Sequence, residues 1–390
     1  MKTVYVDNNA TTKVDPKVLE EMLPYFSEMY GNPSSMHSFG GEVGRKIIQA
    51  RQRVAALINA SPEEIVFTSC GTESDNTAIM AAVNTTPFKK HVITTRVEHP
   101  AVKNLAEHLG KNGYRITSVP VDGKGRLDLD YLYQSLSDDT AIVSIMWANN
   151  ETGVIFPVED ISRVLHEREI PFHTDAVQTA GKVPIDVQKI NVDMLSLSGH
   201  KLHAPKGVGV LYVRKGTRFS PYMLGGHQEG GKRGGTENTA SIIGIGKACE
   251  LAADHLEEEN AVVAKLRDRL ESEILKTVPK AIVNGERENR LPNTTNISFE
   301  YIEGESILLM LNELGICASS GSACTSGSLE PSHVLRAMGV PYTAAHGSIR
   351  FSLSRYNTDA EIDFIIEKIP PIISRLRDLS PFWKQAGADN

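Results

Sequence analysis

Ser198-Gly199-His200-Lys201 closes the apolar run Val192-Asp193-Met194-Leu195-Ser196-Leu197. A lysine ending a strand-like run, beside a small hydroxyl and an imidazole, has what a Schiff-base cofactor site requires. The requirement is a desolvated amine of lowered pKa with short polar groups nearby to hold a phosphate. Taken alone, the string also fits a solvated surface lysine. A second residue weighs against that: Asp175 ends another short apolar run, Ile170-Pro171-Phe172-His173-Thr174, 26 residues upstream. A carboxylate there can pair with a pyridinium nitrogen and keep the ring an electron acceptor. Together the two positions point to pyridoxal 5'-phosphate (PLP).

These residues need a scaffold that gathers strand ends. Between about 60 and 215, strand-length apolar runs (64–68, 91–95, 141–147, 171–174, 194–197 and 209–213) alternate with helical patterns. That rhythm predicts an α/β fold with a mainly parallel sheet between helices, whose ligands lie beyond the carboxyl ends of the strands. The residues at those ends form a polar series. Ser69-Cys70-Gly71-Thr72 opens a helix, where free N–H groups favour an anion. Glu98-His99-Pro100 follows the second run and Asn149-Asn150-Glu151-Thr152-Gly153 the third, before Asp175 with Gln178, then Lys201. Individually Thr72 reads equally as a cap, His99 as a structural imidazole and Asn149 as a turn former. Collected in one crevice, His99 offers a flat ring to stack on a cofactor and an acid or base toward the substrate. A helical stretch over 240–276 links this region to a C-terminal part of α+β character.

The chain has 390 residues and a formal net charge of −7, with basic residues scattered. The length suits two domains, and nothing marks a nucleic-acid surface. With no signal-peptide-like start and no long apolar span, a cytoplasmic protein off the membrane is expected. The four cysteines lack paired spacing, which argues against a disulfide framework or zinc ribbon. Cys70, Cys249 and Cys317 read as small buried hydrophobes. Cys324 differs, set in Ser319-Ser320-Gly321-Ser322-Ala323-Cys324-Thr325-Ser326-Gly327-Ser328. That composition predicts a mobile loop over about 319–330 and an accessible nucleophile, the alternative being an incidental small residue. Two rival motifs are weaker. Gly226 to Arg233 matches phosphate-loop spacing up to Lys232 but has Arg233 where Mg²⁺ binding needs Ser or Thr. His200 and His203 have metal-like spacing without a third ligand.

The motifs Asp7-Asn8-Asn9-Ala10-Thr11-Thr12, Gly31-Asn32-Pro33, Thr72-Glu73-Ser74-Asp75-Asn76, Asn149-Asn150-Glu151-Thr152-Gly153, His173-Thr174-Asp175-Ala176-Val177-Gln178, Ser198-Gly199-His200-Lys201, Gly235-Thr236-Glu237-Asn238 and Ser322-Ala323-Cys324 resemble group I cysteine desulfurases. The likeness covers nearly the whole chain. It is closest to the nitrogen-fixation (NifS-like) branch, through Met146-Trp147-Ala148-Asn149 and the ending Leu379-Ser380-Pro381-Phe382-Trp383.

The resemblance implies a PLP fold-type I homodimer. Its large domain would span 15–258, and its small domain 1–14 with 259–390. Lys201 would carry the cofactor, Asp175 meet the ring nitrogen, and Gln178 with Asn149 the ring oxygen side. Gly71, Thr72, Ser198, Gly199 and His200 would form the phosphate end, with Thr236 reaching across from the other subunit. Arg350, helped by Asn32, would take the substrate carboxylate. Cys324 would take sulfur from L-cysteine as a persulfide, leave L-alanine, and pass the sulfur to an iron-sulfur scaffold protein. In that exchange Cys324 would also be a candidate ligand to a cluster shared with the scaffold. An aminotransferase or lyase on the same scaffold, or a binding protein that kept only the fold, stays open at this level.

Overall fold

The computed structural model describes residues 3–320 and 331–383. The chain opens with β1 (Val4–Tyr5), short helices α1 (Pro16–Met22) and α2 (Pro24–Ser27), and the long α3 (Ser38–Leu57). Four strand–helix units follow: β2 (Ile65–Thr68) with α4 (Gly71–Thr85), β3 (His91–Thr95) with α5 (Pro100–Lys111), β4 (Arg115–Val119) with α6 (Leu129–Ser135), and β5 (Thr140–Ser144) with α7 (Val158–Glu167). Then come β6 (Phe172–Asp175), β7 (Met194–Ser198), β8 (Gly209–Val213) and the 39-residue α8 (Thr239–Thr277). The remainder holds β9 (Ala281–Val283), β10 (Thr294–Phe299), α9 (Gly304–Glu313), β11 (Ile316–Cys317), α10 (His333–Ala337), α11 (Tyr342–Ala345), β12 (Ser348–Ser352) and α12 (Asp359–Leu379).

The central sheet has seven strands in the order β2-β8-β7-β6-β5-β3-β4, with β8 antiparallel to both neighbours. The pairs β3–β4, β3–β5, β5–β6 and β6–β7 are parallel. Strands β2, β3, β5, β6, β7 and β8 are buried along their whole length, as Val/Ile/Leu-rich runs covered on both faces must be. The expected mainly parallel α/β architecture is what forms. β4 gives a weaker apolar signal because it is the half-exposed edge strand.

Two hydrophobic cores meet along α8. Its first half, through Ile242, Ile245, Ala248, Cys249 and Ala252, packs into the core beneath the large sheet. Its second half, through Val263, Leu266, Leu270 and Ile274, joins Val4, Val6, Ile297, Phe299, Ile349, Phe351 and the apolar stripe of α12. The small sheet there runs β12-β10-β9, antiparallel, with β1 and β11 paired beside it and Asp7 bridging Ser352. One C-terminal segment departs from this division: Val334, Leu335, Met338 and Ala345 pack into the large core. The N-terminal segment crosses from one core to the other, which brings residues 7–12 over the carboxyl ends of β6 and β7.

Candidate active site

The carboxyl ends of the central strands enclose a cavity of about 270 Å³. At one end α4 begins. Cys70 caps the helix, its Sγ accepting the Glu73 N–H at 3.4 Å. Gly71 is held so close to the β6 and β7 crossovers that a Cβ would lie 2.9 Å from Val177 Cγ2 and 3.3 Å from Ser198 Cβ. Thr72 lines the same wall, and Ser198 Oγ is buried there without a hydrogen-bond partner among the described residues. Exposed helix N–H groups with converging hydroxyls make an anion cradle. His200 borders it, its Nδ1 3.2 Å from Thr11 Oγ1. Burial, with Lys201 and Lys206 nearby, lowers the His200 pKa to about 4. Gly199 makes no wall of the cavity; it lets the turn after β7 pack on Val208, which a Cβ would meet at 2.8 Å.

Lys201 ends a single 3-10 turn, Gly199–Lys201. Its Nζ donates to the carbonyl oxygens of Asn9 and Ala10, the latter at 2.8 Å. The N-terminal segment is stitched to this turn, since Thr12 N–H donates to His200 O at 2.9 Å and Thr12 Oγ1 accepts from His203 N–H at 2.9 Å. Opposite, Asp175 is held by the Val177 N–H at 2.9 Å, and burial raises its pKa. Gln178 donates through Nε2 to Asn9 O at 3.0 Å and leaves Oε1 buried and unpartnered among the described residues. His99 caps α5 by accepting the Ala101 N–H on Nδ1 at 3.2 Å, which places the proton of a neutral ring on Nε2. Burial first, then Lys201 and His333, lowers its pKa to about 4, so at neutral pH it enters the site as a neutral ring.

Arg350, on β12, closes the far end. It is 2 % exposed and donates to Asp7 Oδ1 at 2.8 Å and to Asn150 O at 2.9 Å, while its Nε is buried without a partner among the described residues. Behind Met146 lies another buried carboxyl. Glu98 accepts from Thr95 Oγ1 at 2.8 Å and Met146 N–H at 3.0 Å, and burial pushes its pKa up to about 8.

Several sequence expectations fall elsewhere. Asn149 does not line the cavity: its amide donates to Val97 O at 3.0 Å and accepts the Glu151 and Thr152 N–H groups at 2.9 and 3.0 Å. It is spent on its own turn, and its neighbour Asn150 takes the place on the wall. Asn32 is exposed and binds the Ser34 N–H, and Thr236 is exposed on the loop before α8; neither lines this chain's cavity. Cys70, read as a buried hydrophobe, is half-buried at the cavity edge. Cys249 fits that reading, buried with its thiol pushed up to about 12. Cys324 lies outside the described residues. The chain on either side is fastened to the site: Ser319 exchanges backbone hydrogen bonds with Arg350, Ser332 Oγ donates to Glu151, and His333 Nε2 lies 2.9 Å from Glu98 O.

The rival motifs dissolve in the fold. Residues 226–233 form a turn rather than a strand–loop–helix: Glu229, at φ 50°, pairs with Arg51, and Arg233 pairs with Glu73. His203 Nδ1 turns to Lys13 O, away from His200, and among the described residues no group of three His, Cys, Asp or Glu could hold a metal ion. Sequence reasoning missed Asn9 and Ala10 against Lys201, Asp7 against Arg350, and Asp75. The last was discoverable, lying four residues after Gly71 on the same helix face.

The cavity fits a phosphorylated pyridine. Ser198 Oγ, Gln178 Oε1 and Arg350 Nε are buried polar atoms without hydrogen-bond partners among the described residues, and the anion cradle, the carboxylate and the lysine line one cavity.

Comparison with known proteins places the whole chain among relatives of one family. The aminotransferase class-V family matches residues 4–365. Cysteine desulfurase NifS of Azotobacter vinelandii is 61% identical over 388 residues, covering 99% of this chain and 96% of its own. A cysteine desulfurase of Trichormus azollae is 59% identical, covering 99% and 98%. Among solved structures, a NifS-like protein superposes with a TM-score of 0.91 at 42% identity, over 96% of this chain and 100% of its own. The structure titled SspA in complex with cysteine gives 0.81 at 37% identity, over 91% and 100%.

Proposed function

The chain belongs to the class-V aminotransferase family, and we propose that it is a PLP-dependent cysteine desulfurase which moves sulfur from L-cysteine to Cys324 and releases L-alanine. The observation that carries the reading is the meeting of Lys201, Asp175, the Gly71–Thr72 helix start and Arg350 on one cavity. When bound, PLP supplies an electron sink for the pair released at the substrate α-carbon.

The chain's own groups do the rest. The α4 N-terminus, Thr72, Ser198 and His200 would hold the phosphate, Asp175 would meet the ring nitrogen, and Asn150 and Gln178 would flank the ring. Arg350 takes the amino-acid carboxylate with N–H donors its Asp7 and Asn150 contacts leave over. Lys201, resting on two backbone carbonyls, is the amine that moves the α-proton. His99 would stack on the cofactor ring, with its Nε2 proton free to donate. The Cys324 thiolate attacks the substrate sulfur: an S–S bond forms, the substrate C–S bond breaks with its electron pair left on carbon, and that carbon ends protonated in alanine. Cys324 is five residues from Ser319, at most about 17 Å of extended chain, and Ser319 is paired to Arg350. One cysteine thus serves both the cavity and an acceptor outside it, an iron-sulfur scaffold protein in this reading, with Cys324 able to ligate a cluster at hand-over.

A cytoplasmic homodimer is part of the proposal. No described helix is long and apolar enough to cross a membrane, and Phe26, Tyr30, Met36 and Leu224 stand exposed as surface for a second copy. That copy would supply Thr236 and Asn32. The proposed domain division is 15–258 against 1–14 with 259–390, amended by the packing of 334–345 on the large core.

Borohydride reduction of the PLP-loaded protein tests the cofactor, with mass spectrometry expected to find the label on Lys201. Label on Lys206, or none, removes the assignment. Alanine and sulfide from L-cysteine support desulfuration; a keto acid product supports an aminotransferase instead.

A further inference from the structure

Asp75 plays no part in the reaction above, yet it lines the cavity and is 1 % exposed. Its Oδ1 lies 3.6 Å from His173 Nε2 and has no hydrogen-bond partner among the described residues. Behind it runs an ordered chain of polar groups. Ser144 Oγ is 2.9 Å from His173 Nδ1, and His173 Nε2 is 2.9 Å from Ser196 Oγ. Asp75 stands beside this chain, its Oδ1 unpartnered among the described residues. With His173 neutral and its proton on Nε2, Ser144 donates to His173 and His173 to Ser196, so the one N–H of the ring is spent on Ser196 rather than on Asp75.

The charge balance around this carboxyl is one-sided. Asp75 and Asp175 are buried in the wall of a cavity whose lining cations are Lys201 and Arg350, Glu98 is buried behind Met146, and Arg350 already faces Asp7. Burial holds His173 down to about 3, so it supplies no cation. Two neighbouring carboxyls in a dry site do not both ionise. The partners say which one does: Asp175 accepts a backbone N–H and, against the raising effect of burial, has its pKa lowered by the Lys201 charge, whereas Asp75 has neither a backbone donor nor a cation among the described residues.

Resting on the PLP reading of the cavity, we propose that Asp75 is a positioning residue held as a neutral carboxylic acid. Through it the ring-nitrogen end of the cofactor meets one negative charge, on Asp175, set against a fixed polar wall. The direction of titration agrees, since burial, then Asp175 and Glu98, raise the Asp75 pKa well above the carboxylate range.

Other groups around Asp75 do not compete for the role. Cys70 caps its own helix, and Glu73 is paired to Arg233. Strands β2 and β5 bring no titratable side chain, and Tyr212 of β8 stays neutral, raised to about 12 by burial. On α5, His99 is held neutral, Lys103 pairs with Glu107, and His108 and Lys111 are exposed.

The test compares wild type with Asp75→Asn, Asp75→Ala and Asp175→Asn, each loaded with PLP. The readouts are the pH midpoint of the Lys201-linked visible band and the dissociation constant for PLP. Asn is a neutral isostere of the proposed acid, so Asp75→Asn keeps the wild-type midpoint and PLP affinity. Asp75→Ala weakens PLP by about tenfold, as expected for a lost polar contact. Asp175→Asn moves the midpoint down, because it removes the real charge. A fall of about one pH unit or more in Asp75→Asn, the size expected for loss of a nearby charge, overturns the proposal, as does an Asp75→Ala protein indistinguishable from wild type. If Asp75→Ala does not fold, the Asp75→Asn midpoint still decides. Absence of a visible band in wild type refutes the cofactor reading instead, so the two failures are distinct.

Discussion

Replacing Arg350 by Ala separates substrate recognition from cofactor binding. The guanidinium has five N–H donors, of which one goes to Asp7 and one to Asn150 O, leaving Nε buried and unpartnered among the described residues. A substrate carboxylate taking the remaining donors makes two charge-assisted hydrogen bonds, each worth about 1.5–3 kcal/mol. Their loss amounts to about 3–6 kcal/mol, or roughly two to four orders of magnitude in kcat/KM. The truncation also leaves Asp7 facing the substrate carboxylate without its counter-charge, which pushes the effect toward the upper end. Arg350→Lys keeps a point charge without the fork and recovers only part of the activity. The assay is alanine formation across L-cysteine concentrations, with the visible band and thermal melting of each variant recorded to show cofactor and fold intact. An Arg350→Ala enzyme with its band intact and kcat/KM reduced less than about threefold, far below the hydrogen-bond estimate, would refute the placement of this arginine at the substrate.

Cys324→Ser is expected to keep the PLP spectrum and lose both alanine and sulfide, because a hydroxyl does not accept sulfur as a thiolate does; Cys317→Ser, assayed beside it, retains both products, and equal loss in the two variants would sink the persulfide route. Gly71→Ala places a Cβ 2.9 Å from Val177 Cγ2, an overpacking that costs about 1–3 kcal/mol, so fluorescence titration should show PLP bound roughly ten- to hundredfold more weakly at the same cavity. Glu98 has its folded pKa raised to about 8, so between pH 4.5 and 8 the folded state holds a proton that the unfolded state has released. Its burial therefore lowers stability as pH rises through that window. Glu98→Gln should flatten the decline and raise the denaturation midpoint at pH 8, measured by urea unfolding at pH 5 and pH 8; an unchanged pH slope would show Glu98 ionised in the fold.

Much of the site is local enough to be read along the chain. Lys201, Asp175 and the Gly71–Thr72 helix start each follow a β-branched or Leu-rich run, and a βα alternation sends the ends of such runs to one side of a sheet whatever the loops do. The edge strand β4 escapes that reading because an exposed edge carries no continuous apolar pattern. Asn149 and Asn150 are chemically identical neighbours, and only the closed turn shows which amide is consumed by the backbone and which faces the cavity.

What the sequence by itself determined is the inventory of chemistry: an amine, a carboxylate and an anion cradle, each tied to the end of a regular element by periodicity and capping, and an arginine that only the family resemblance singled out. What only the tertiary structure decided is which distant residues complete those groups. Asn9 and Ala10 reach Lys201 across 191 or more residues, and Asp7 reaches Arg350 across 343. Such contacts depend on how two cores pack along α8, and no local propensity encodes them. Burial is likewise a property of the assembled whole. The same carboxyl side chain is an exposed ion on a surface helix and a neutral acid at Asp75 or Glu98, because only the finished packing removes the water that would keep it charged.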